Sequence, residues 1–387
     1  MNKSTLLPLS LAVMAALSAP TVVADDDMGF TFSGYARYGA AYQGGDSKYI
    51  KPEGSLNGNS TGRLGNEVNG GEFQFSKPFA GTNGTKFDVT FMLNHWESGA
   101  WNNDGGGVGI AKAYAGASNI FESQPDLYVW AGRDFHTRPQ TGLNDYFWMM
   151  HDGQGGGFRN LDLGGAKFDL AFVGQLESAR LTNDNGKYAI TSKMHGINLG
   201  EASLSIYANY GFASEEQDAL KDVKAAQAAA EIGYKGQRFI VRYSNNAKDA
   251  VYDLNDGQTA LLASFDGSTS LSDNMSIEYL TAYQKLENKD SSDDRANYNV
   301  IVRPAYSWND IHSTWIEAGY DVVDYANKDQ KNSAWKVTFS QNIAVGAETW
   351  SRPMLRFYAT VGEAKQDGVT DAKVDAMTVG AMWEAWW

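Results

Sequence analysis

The sequence contains no cysteine, so it lacks the disulfide framework that usually stabilises small exported domains. The same absence argues against a structural zinc site, because such sites rely on cysteine and histidine ligands. Positive charge is also scarce, with 32 Lys and Arg against 46 Asp and Glu and a formal net charge of -14. Nucleic-acid binding requires a basic surface, and we therefore predict no nucleic-acid partner.

Long apolar runs are confined to the start of the chain. Lys3 lies near the start, an apolar stretch runs from Leu6 to about Ala16, and the run Val22-Val23-Ala24 directly precedes three aspartates. This pattern is typical of a secretory signal peptide, and we predict one at residues 1–24. No later stretch is apolar over the roughly 18 residues that a transmembrane helix needs. We expect the remaining residues, 25–387, to form one domain outside the cytoplasm.

Sequence patterns that carry catalysis or hold cofactors are missing as well. The histidines belong to no recognisable nucleophile or metal-ligand pattern, and neither G-x-S-x-G nor H-E-x-x-H occurs. Acidic runs at 25–27 and 290–294 could attract calcium, although solvated surface charge is the favoured interpretation. We predict no enzyme activity, no cofactor and no metal site.

What the chain has instead is alternation of apolar and polar residues with a period of two. In the first such segment, Phe32 lies on the face opposite Tyr35 and Arg37. Soluble sandwiches use strands of about five or six residues. Here the alternation runs for about ten residues before each polar turn cluster, which is typical of a transmembrane β-barrel with a lipid-facing and a lumen-facing side. Similar segments recur at 86–93, 352–361 and 377–387.

One segment, residues 214–234, is ambiguous. Its many Ala, Glu and Lys residues favour a helix on propensity alone. The alternative is a loop followed by a strand of small residues, and we favour it because alanine is compatible with a barrel wall. We therefore predict an all-β fold.

Aromatic and charged side chains share the predicted polar faces. The groups are Tyr35 with Arg37, Trp350 with Arg352, Arg356 and Tyr358, and Trp386 with Glu384. Sugar rings pack on aromatic rings while their hydroxyls bond to charged groups, so a sugar path is one interpretation of these faces. The alternative is that the tryptophans fill the lumen or pack beneath a loop. Trp383 and Trp387, out of phase with Trp386, are predicted to face the membrane interface.

The sequence resembles the maltoporin family, sugar-specific porins of Gram-negative outer membranes. The matching stretches are GYARYGAAYQGG (34–45), GRLGNE (62–67), WAGRDFHTRPQTGLNDYFW (130–148), IEAGYDVVD (316–324), ETWSRPMLRFYAT (348–360) and AMWEAWW at the end. The resemblance implies an antiparallel barrel of eighteen strands with loops folded into the channel. It also implies a homotrimer in outer-membrane lipid and passive diffusion of oligosaccharides, maltose and maltodextrins in particular. The alternatives are a general diffusion porin without a sugar site and a channel for another sugar class.

The resemblance further implies a lane of aromatic side chains for sugar, flanked by charged ones. The lane comprises Tyr35, Trp101, Phe147, Trp350 and Trp386. The charged track and constriction comprise Arg37, Arg63, Arg138 and Asp145. Phe147 replaces a tyrosine of the family pattern, and another lane position has only Tyr234 and Phe239 as candidates.

Two further departures from the family pattern affect this lane. Gly70 or Gly71 stands where the family has an aromatic residue. Trp101 is assigned to the ring that a neighbouring subunit contributes, with Trp96 as the alternative. These departures leave open which oligosaccharide the channel prefers.

Overall fold

The computed structural model describes residues 29–96, 107–176, 184–367 and 372–387. The predicted signal peptide, 1–24, lies outside these ranges, and so does Trp101. The described part of the chain is dominated by antiparallel β-strands. Across these four ranges, no helix has the length and apolar character needed to cross a membrane.

The strands of the described ranges are long, as the alternation predicts. In chain order they are β1 (Thr31–Gln43), β2 (Gly70–Ala80), β3 (Lys86–Trp96), β4 (Gly109–Ser118), β5 (Tyr128–Asp134), β6 (Gln140–Thr141), β7 (Tyr146–Phe147), β8 (Gly153–Asp162), β9 (Lys167–Gly174), β10 (Lys187–Leu199), β11 (Ala202–Ala213), β12 (Ala225–Tyr234), β13 (Gln237–Asn245), β14 (Thr259–Ser272), β15 (Met275–Glu287), β16 (Arg295–Ser307), β17 (His312–Tyr325), β18 (Lys331–Ala344), β19 (Met354–Gln366) and β20 (Ala372–Trp386).

Eighteen of these strands form a single closed antiparallel sheet, which confirms the predicted barrel. Strands β6 and β7 pair only with each other and stand apart from it. Strand β1 pairs with β2 on one side and with β20 on the other, so the sheet has no free edge. Closure is what allows strands to satisfy every backbone N–H and C=O group in lipid.

The two ends of the barrel differ in the length of their connections. One end has tight turns such as the one between β12 and β13, where Lys235 and Gly236 both have positive φ (46° and 81°), as a two-residue hairpin requires. This end, where β1 begins and β20 ends, is the periplasmic end, because barrels of this kind keep short turns there. Long connections occupy the other end. Three of them fold inward, and we call them the first, second and third inward connections (44–69, 135–152 and 246–258).

Side chains alternate between the two faces of the wall as predicted. In β18, Trp335 and Phe339 are 42% and 49% exposed on the outer face. The inner-face residues Lys336, Thr338 and Ser340 are fully buried. The outer face of the barrel is therefore apolar and suited to lipid, and the polar face points into the lumen.

The first inward connection lies against the polar inner wall. The backbone N–H of Leu56 donates to the Asn297 side chain (2.7 Å), and that of Leu64 donates to Glu317 (2.8 Å). The Lys336 ammonium donates to backbone carbonyl oxygens of the same connection. Buried backbone groups need partners, and this part of the wall supplies them to an irregular segment.

The third inward connection packs behind the second. The backbone N–H of Val251 donates to Nε2 of His151 (3.1 Å), and the Tyr252 hydroxyl donates to the carbonyl oxygen of Asp152 (2.9 Å). The second connection itself packs on the inner wall, where Arg238 of β13 donates to the carbonyl oxygen of Gln140 (2.9 Å) and the Trp148 ring lies 5.5 Å from that of Tyr207 of β11.

The ambiguous segment 214–234 is a loop followed by β12, as predicted. Strand β12 pairs with both β11 and β13 over its whole length. On its inner face Gln227 donates to the Ser244 hydroxyl (3.0 Å). Pairing on both sides overrides the helix propensity of its alanines.

Candidate functional site

Several polar and charged side chains at the periplasmic end of the lumen bond to one carboxylate, that of Glu384. It lies on the inner face of β20 and is 1% exposed. Its carboxylate accepts hydrogen bonds from the hydroxyl of Tyr35 (2.7 Å), from Arg63 (2.7 Å), from Arg352 (2.7 and 2.9 Å) and from Arg356 (3.0 Å). These donors come from β1, from the first inward connection and from the region around the start of β19. We call this group the Glu384 cluster.

Glu67 is the second carboxylate of the Glu384 cluster. It lies 2.6 Å from Nη1 of Arg356 and 3.3 Å from Nε of Arg63. Burial alone would raise the pKa of Glu67, but Arg356 and Arg63 outweigh it and hold this pKa below its ordinary value. Burial likewise opposes the charge on Arg63, yet Glu384 keeps its pKa well above the ordinary one. Both groups are therefore charged at neutral pH.

Three aromatic rings form a row on the inner wall beside this cluster. Tyr35 lies between Trp386 and Trp96, with ring centroids 6.5 and 6.0 Å apart and ring planes inclined by 25° and 29°. The guanidinium of Arg352 lies 4.7 Å from the Trp386 ring centroid, and that of Arg37 lies 5.2 Å from the Trp96 ring. We call these rings the aromatic row. Near-parallel planes give it an extended apolar surface with cations beside it.

The second inward connection brings another charged group into the lumen. The guanidinium carbon of Arg138 lies 4.0 Å from the ring centroids of both Phe135 and Phe147. Nε of Arg138 is 3.3 Å from the carboxylate of Asp152, and Nη1 is 3.9 Å from that of Glu72. The side chains of Arg138 and Asp152 are 21% and 24% exposed, so water and solutes reach them. We call this group the Arg138 cluster.

Two contacts connect this second group to the wall that carries the aromatic row. Arg37 of β1 lies 3.1 Å from the carboxylate of Asp145 in the second inward connection. Glu72 of β2 accepts a hydrogen bond from Nε1 of Trp96 (3.3 Å) and also faces Arg138. The aromatic row therefore extends from the periplasmic end of the lumen to the segment that narrows it.

Burial shifts the pKa values of two ionisable groups at the end of the second inward connection in opposite directions. Burial raises the pKa of Asp152 to about 6, although the positive charge of Arg138 opposes this shift. Burial lowers the pKa of His151 to about 3, so this imidazole is neutral at physiological pH. Asp152 is therefore a lumen group that changes charge just below neutral pH.

Most of the predicted site residues lie near one another. Those in or beside the Glu384 cluster and the aromatic row are Tyr35, Trp386, Arg37, Arg63 and Asp145. Arg138 and Phe147 contact each other, which leaves one face of the phenylalanine ring covered by a guanidinium. The role of these residues in sugar binding stays a prediction.

Trp350 lies elsewhere than the alternation predicts. We expected it on one strand face with Arg356 and Tyr358, but it lies in the turn between β18 and β19, before β19 begins at Met354. The period of two ends where the chain turns, so the face assigned to Trp350 does not follow from β19. It remains at the periplasmic end of the barrel, where the aromatic row also ends.

Tyr234 and Phe239, the candidates for a further lane ring, both point outward. They are 46% and 45% exposed on the lipid-facing side. The inner positions near them belong to Glu231 and Arg238, which form an ion pair (3.6 Å). Alternation along β12 and β13 therefore excludes both rings from the lumen.

Several residues of the site were not assigned a role from the sequence. Alternation had placed Arg352 and Arg356 on one polar face with Trp350, and Glu384 on another with Trp386, and these shared faces were the available signal. Arg352, like Trp350, lies before β19 begins. For Asp152 the sequence carried no such signal, because its place depends on how the second inward connection folds back. Glu72 alternates with Phe73 in β2, but its contact with Arg138 depends on the same connection.

A closed barrel of eighteen strands, apolar outside and charged inside, with connections folded into its lumen, defines a porin of the bacterial outer membrane. The model of the LamB porin family matches residues 30–387. The chain belongs to this family.

Relatives of known name and solved structures agree with this placement. Maltoporins from two strains of Vibrio cholerae serotype O1, El Tor Inaba and Classical Ogawa, are each 28% identical over 426 residues, covering 97% of this chain and 99% and 98% of theirs. Pseudomonas aeruginosa OpdQ has a TM-score of 0.54 at 12% identity, and OpdO one of 0.52 at 10%. Each covers 92% of this chain, with 98% and 97% of its own length matched. These two structures support the barrel fold alone.

Proposed function

We propose that this porin is a channel for facilitated diffusion of oligosaccharides, with maltodextrins as the preferred class. The observation that carries the proposal is the aromatic row of Trp96, Tyr35 and Trp386, set beside paired charged groups on the inner wall. The apolar faces of sugar rings pack on such rings, and sugar hydroxyls exchange water for charged partners. Contacts of this kind are weak and repeated, as transport requires.

The arrangement of charge favours a neutral, hydroxyl-rich solute over an ion. The lumen groups described above pair arginines with carboxylates in direct contact, such as Arg37 with Asp145 (3.1 Å) and Arg352 with Glu384 (2.7 Å). A general diffusion porin is expected to hold its arginines across the lumen from its acidic residues, which creates a transverse field. Charges that neutralise each other locally create little field, and the partly exposed pair of Arg138 with Asp152 (3.3 Å) still offers hydrogen-bonding atoms to a solute.

The relatives named maltoporin support the maltodextrin class, although the departures at Phe147 and Gly70 alter the surface that a sugar would meet. Conductance across a planar lipid bilayer tests the proposal. Maltohexaose should block the ion current in a saturable way with a dissociation constant in the millimolar range or tighter, about -4 kcal/mol or better. Block by a β-linked glucan but not by maltohexaose would point to another sugar class. Absence of block by any sugar would favour the general porin.

We further propose that the porin is a homotrimer. The outer faces of β4, β5 and β8 carry small residues in adjacent positions, Ala115 opposite Ala131 and Ala131 opposite Gly156. Such a flat strip suits contact with another barrel, and the resemblance to maltoporins supports three copies. Native mass spectrometry from a mild detergent should give the trimer mass, and a monomer alone would contradict it.

A further inference from the structure

We propose that Trp96 is a sugar-contacting ring of its own barrel and that Gly70 makes room for it there. This inference deepens the proposed sugar path and depends on it. It differs from the family-derived expectation, in which a tryptophan from a neighbouring subunit completes the lane.

Trp96 is the last residue of β3 and projects into the lumen of its own chain. It follows Met92 and Asn94 on the inner face, and its ring lies against Tyr35 of β1 with centroids 6.0 Å apart. The ring therefore crosses β2, which separates β1 from β3 in the sheet. A ring can cross an intervening strand only where that strand presents no side chain of its own.

Gly70 provides that gap. It pairs directly with Trp96 in the register between β2 and β3. A Cβ atom at position 70 would lie 2.4 Å from Cε3 and 2.7 Å from Cδ2 of Trp96, and 2.5 Å from the backbone carbonyl oxygen of His95, all far inside van der Waals contact. Gly70, one of the two glycines that are candidates for the missing aromatic position, thus leaves the space that the tryptophan of the next strand fills.

The surroundings of Trp96 suit a sugar. Arg37 lies over the ring at 5.2 Å, and Glu72 accepts the indole N–H at 3.3 Å. A sugar that packs on this ring has a cation and a carboxylate beside it for its hydroxyls. Glu72 also faces Arg138 at 3.9 Å, so Trp96 is the ring of the aromatic row nearest to the second inward connection. A solute leaving that narrow segment meets Trp96 before Tyr35 and Trp386.

Substitution of Trp96 tests its role. Trp96→Ala should weaken maltohexaose block about 2- to 10-fold, since one ring contact is worth roughly 0.5–1.5 kcal/mol. Trp96→Phe should retain most of the block, because a ring remains. Trp308→Ala is the matched control, as Trp308 is 62% exposed and packs on Tyr306, away from the aromatic row. It should leave block unchanged.

Substitution of Gly70 tests the gap. Gly70→Ala should displace the ring and weaken block about as much as Trp96→Ala does. In the folded channel, maltohexaose block of the double variant should be no weaker than that of Trp96→Ala alone, because both changes affect block through the same ring. The yield of folded barrel is measured separately, since the added Cβ also lies 2.5 Å from the His95 carbonyl oxygen whether or not the ring is present. Additive losses would overturn the role given to Gly70. If Gly70→Ala yields no folded barrel, Trp96→Ala and Trp96→Phe decide the proposal by themselves.

The outcomes separate this inference from the function on which it depends. A wild-type channel that no sugar blocks would overturn the sugar path itself. A wild-type channel blocked by maltohexaose, with Trp96→Ala blocked equally well, would overturn only the role of Trp96.

Discussion

The Glu384 cluster and the Arg138 cluster, two of the groups of ion pairs that line the lumen, differ in their access to water. In the Glu384 cluster, Glu384 and Arg356 have side chains that are each 1% exposed. In the Arg138 cluster, Arg138 and Asp152 are 21% and 24% exposed. Buried pairs fix geometry because losing one partner leaves an isolated charge. Partly exposed pairs can exchange partners with a passing solute, so we infer that the first cluster builds the path and the second meets the solute.

Glu384→Gln should have the largest effect, because it breaks the buried cluster. The amide cannot balance Arg63, Arg352 and Arg356, and removing one member of a buried ion pair costs about 3–5 kcal/mol. Urea unfolding in lipid vesicles should show a correspondingly lower midpoint. Glu287→Gln, which loses only an exposed pair with Lys285, should stay close to wild type. Equal stability of the two variants would show that the buried Glu384 cluster stabilises the barrel no more than an exposed ion pair does.

Substitutions of Trp386 and Trp387 test the inner and the outer face of the same barrel wall. Trp386→Ala removes a ring that Arg352 of the Glu384 cluster covers, and it should weaken maltohexaose block by about 0.5–1.5 kcal/mol with folding nearly intact. Trp387→Ala removes an outer ring that contacts Phe32 and Phe73. It should lower the yield of assembled barrel on semi-native gels and leave the sugar affinity of the folded protein unchanged. Swapped phenotypes would mean that the register of β20 is wrong by one residue.

The wall of the barrel was predictable because its alternation is local. A period of two assigns each side chain to lipid or lumen without knowledge of its partners, and it placed Tyr35, Arg37 and Trp386 together on the lumen side. The same rule placed Trp383 and Trp387 outside, where they are 37% and 41% exposed. The number of strands came from the family resemblance, since individual strand signals are weak.

The inward connections were not predictable in the same way, because their positions depend on distant partners. Arg138 contacts Phe147 only because the second inward connection folds back on itself. Glu72 likewise faces Arg138 only because this connection folds back. Alternation assigns a side chain to a face only within a strand. It therefore could not place Trp350, which lies in a turn. For Trp96, the clue was a glycine on the neighbouring strand, which is meaningful only once the register is known.

Arg138→Lys tests whether the exposed cluster acts by shape as well as by charge. Lysine keeps the positive charge but lacks the planar group that stacks between Phe135 and Phe147. We expect maltohexaose block to weaken by about 0.5–1 kcal/mol, the typical worth of an exposed cation–π contact. Ion selectivity, measured as the reversal potential in a KCl gradient, should stay the same. Block and selectivity that both stay at the wild-type values would show that only the charge of this residue matters.

Titration of Asp152 should change the channel less than the substitutions above, and this change should be the one most specific to the Arg138 cluster. Burial raises its pKa to about 6, so it is ionised at about pH 7.5 and mostly protonated at about pH 5. The groups that act on it are Arg138 and Lys112, which favour its charge, and Asp134 and Glu72, which oppose it.

Because the folded state holds this proton more tightly than the unfolded chain, Asp152 stabilises the barrel most at low pH and loses that contribution as pH rises through about 6.

In the channel, acidification removes one negative charge beside Arg138, so cation preference should fall between about pH 7.5 and about pH 5. Reversal potentials in a KCl gradient measure this change. Asp152→Asn should show the low-pH value at both pH values, whereas a wild-type-like shift in that variant would assign the titration to another carboxylate. Glu67, whose pKa its arginines hold low, should remain ionised throughout this range. The buried cluster should thus stay fixed while the exposed one changes charge.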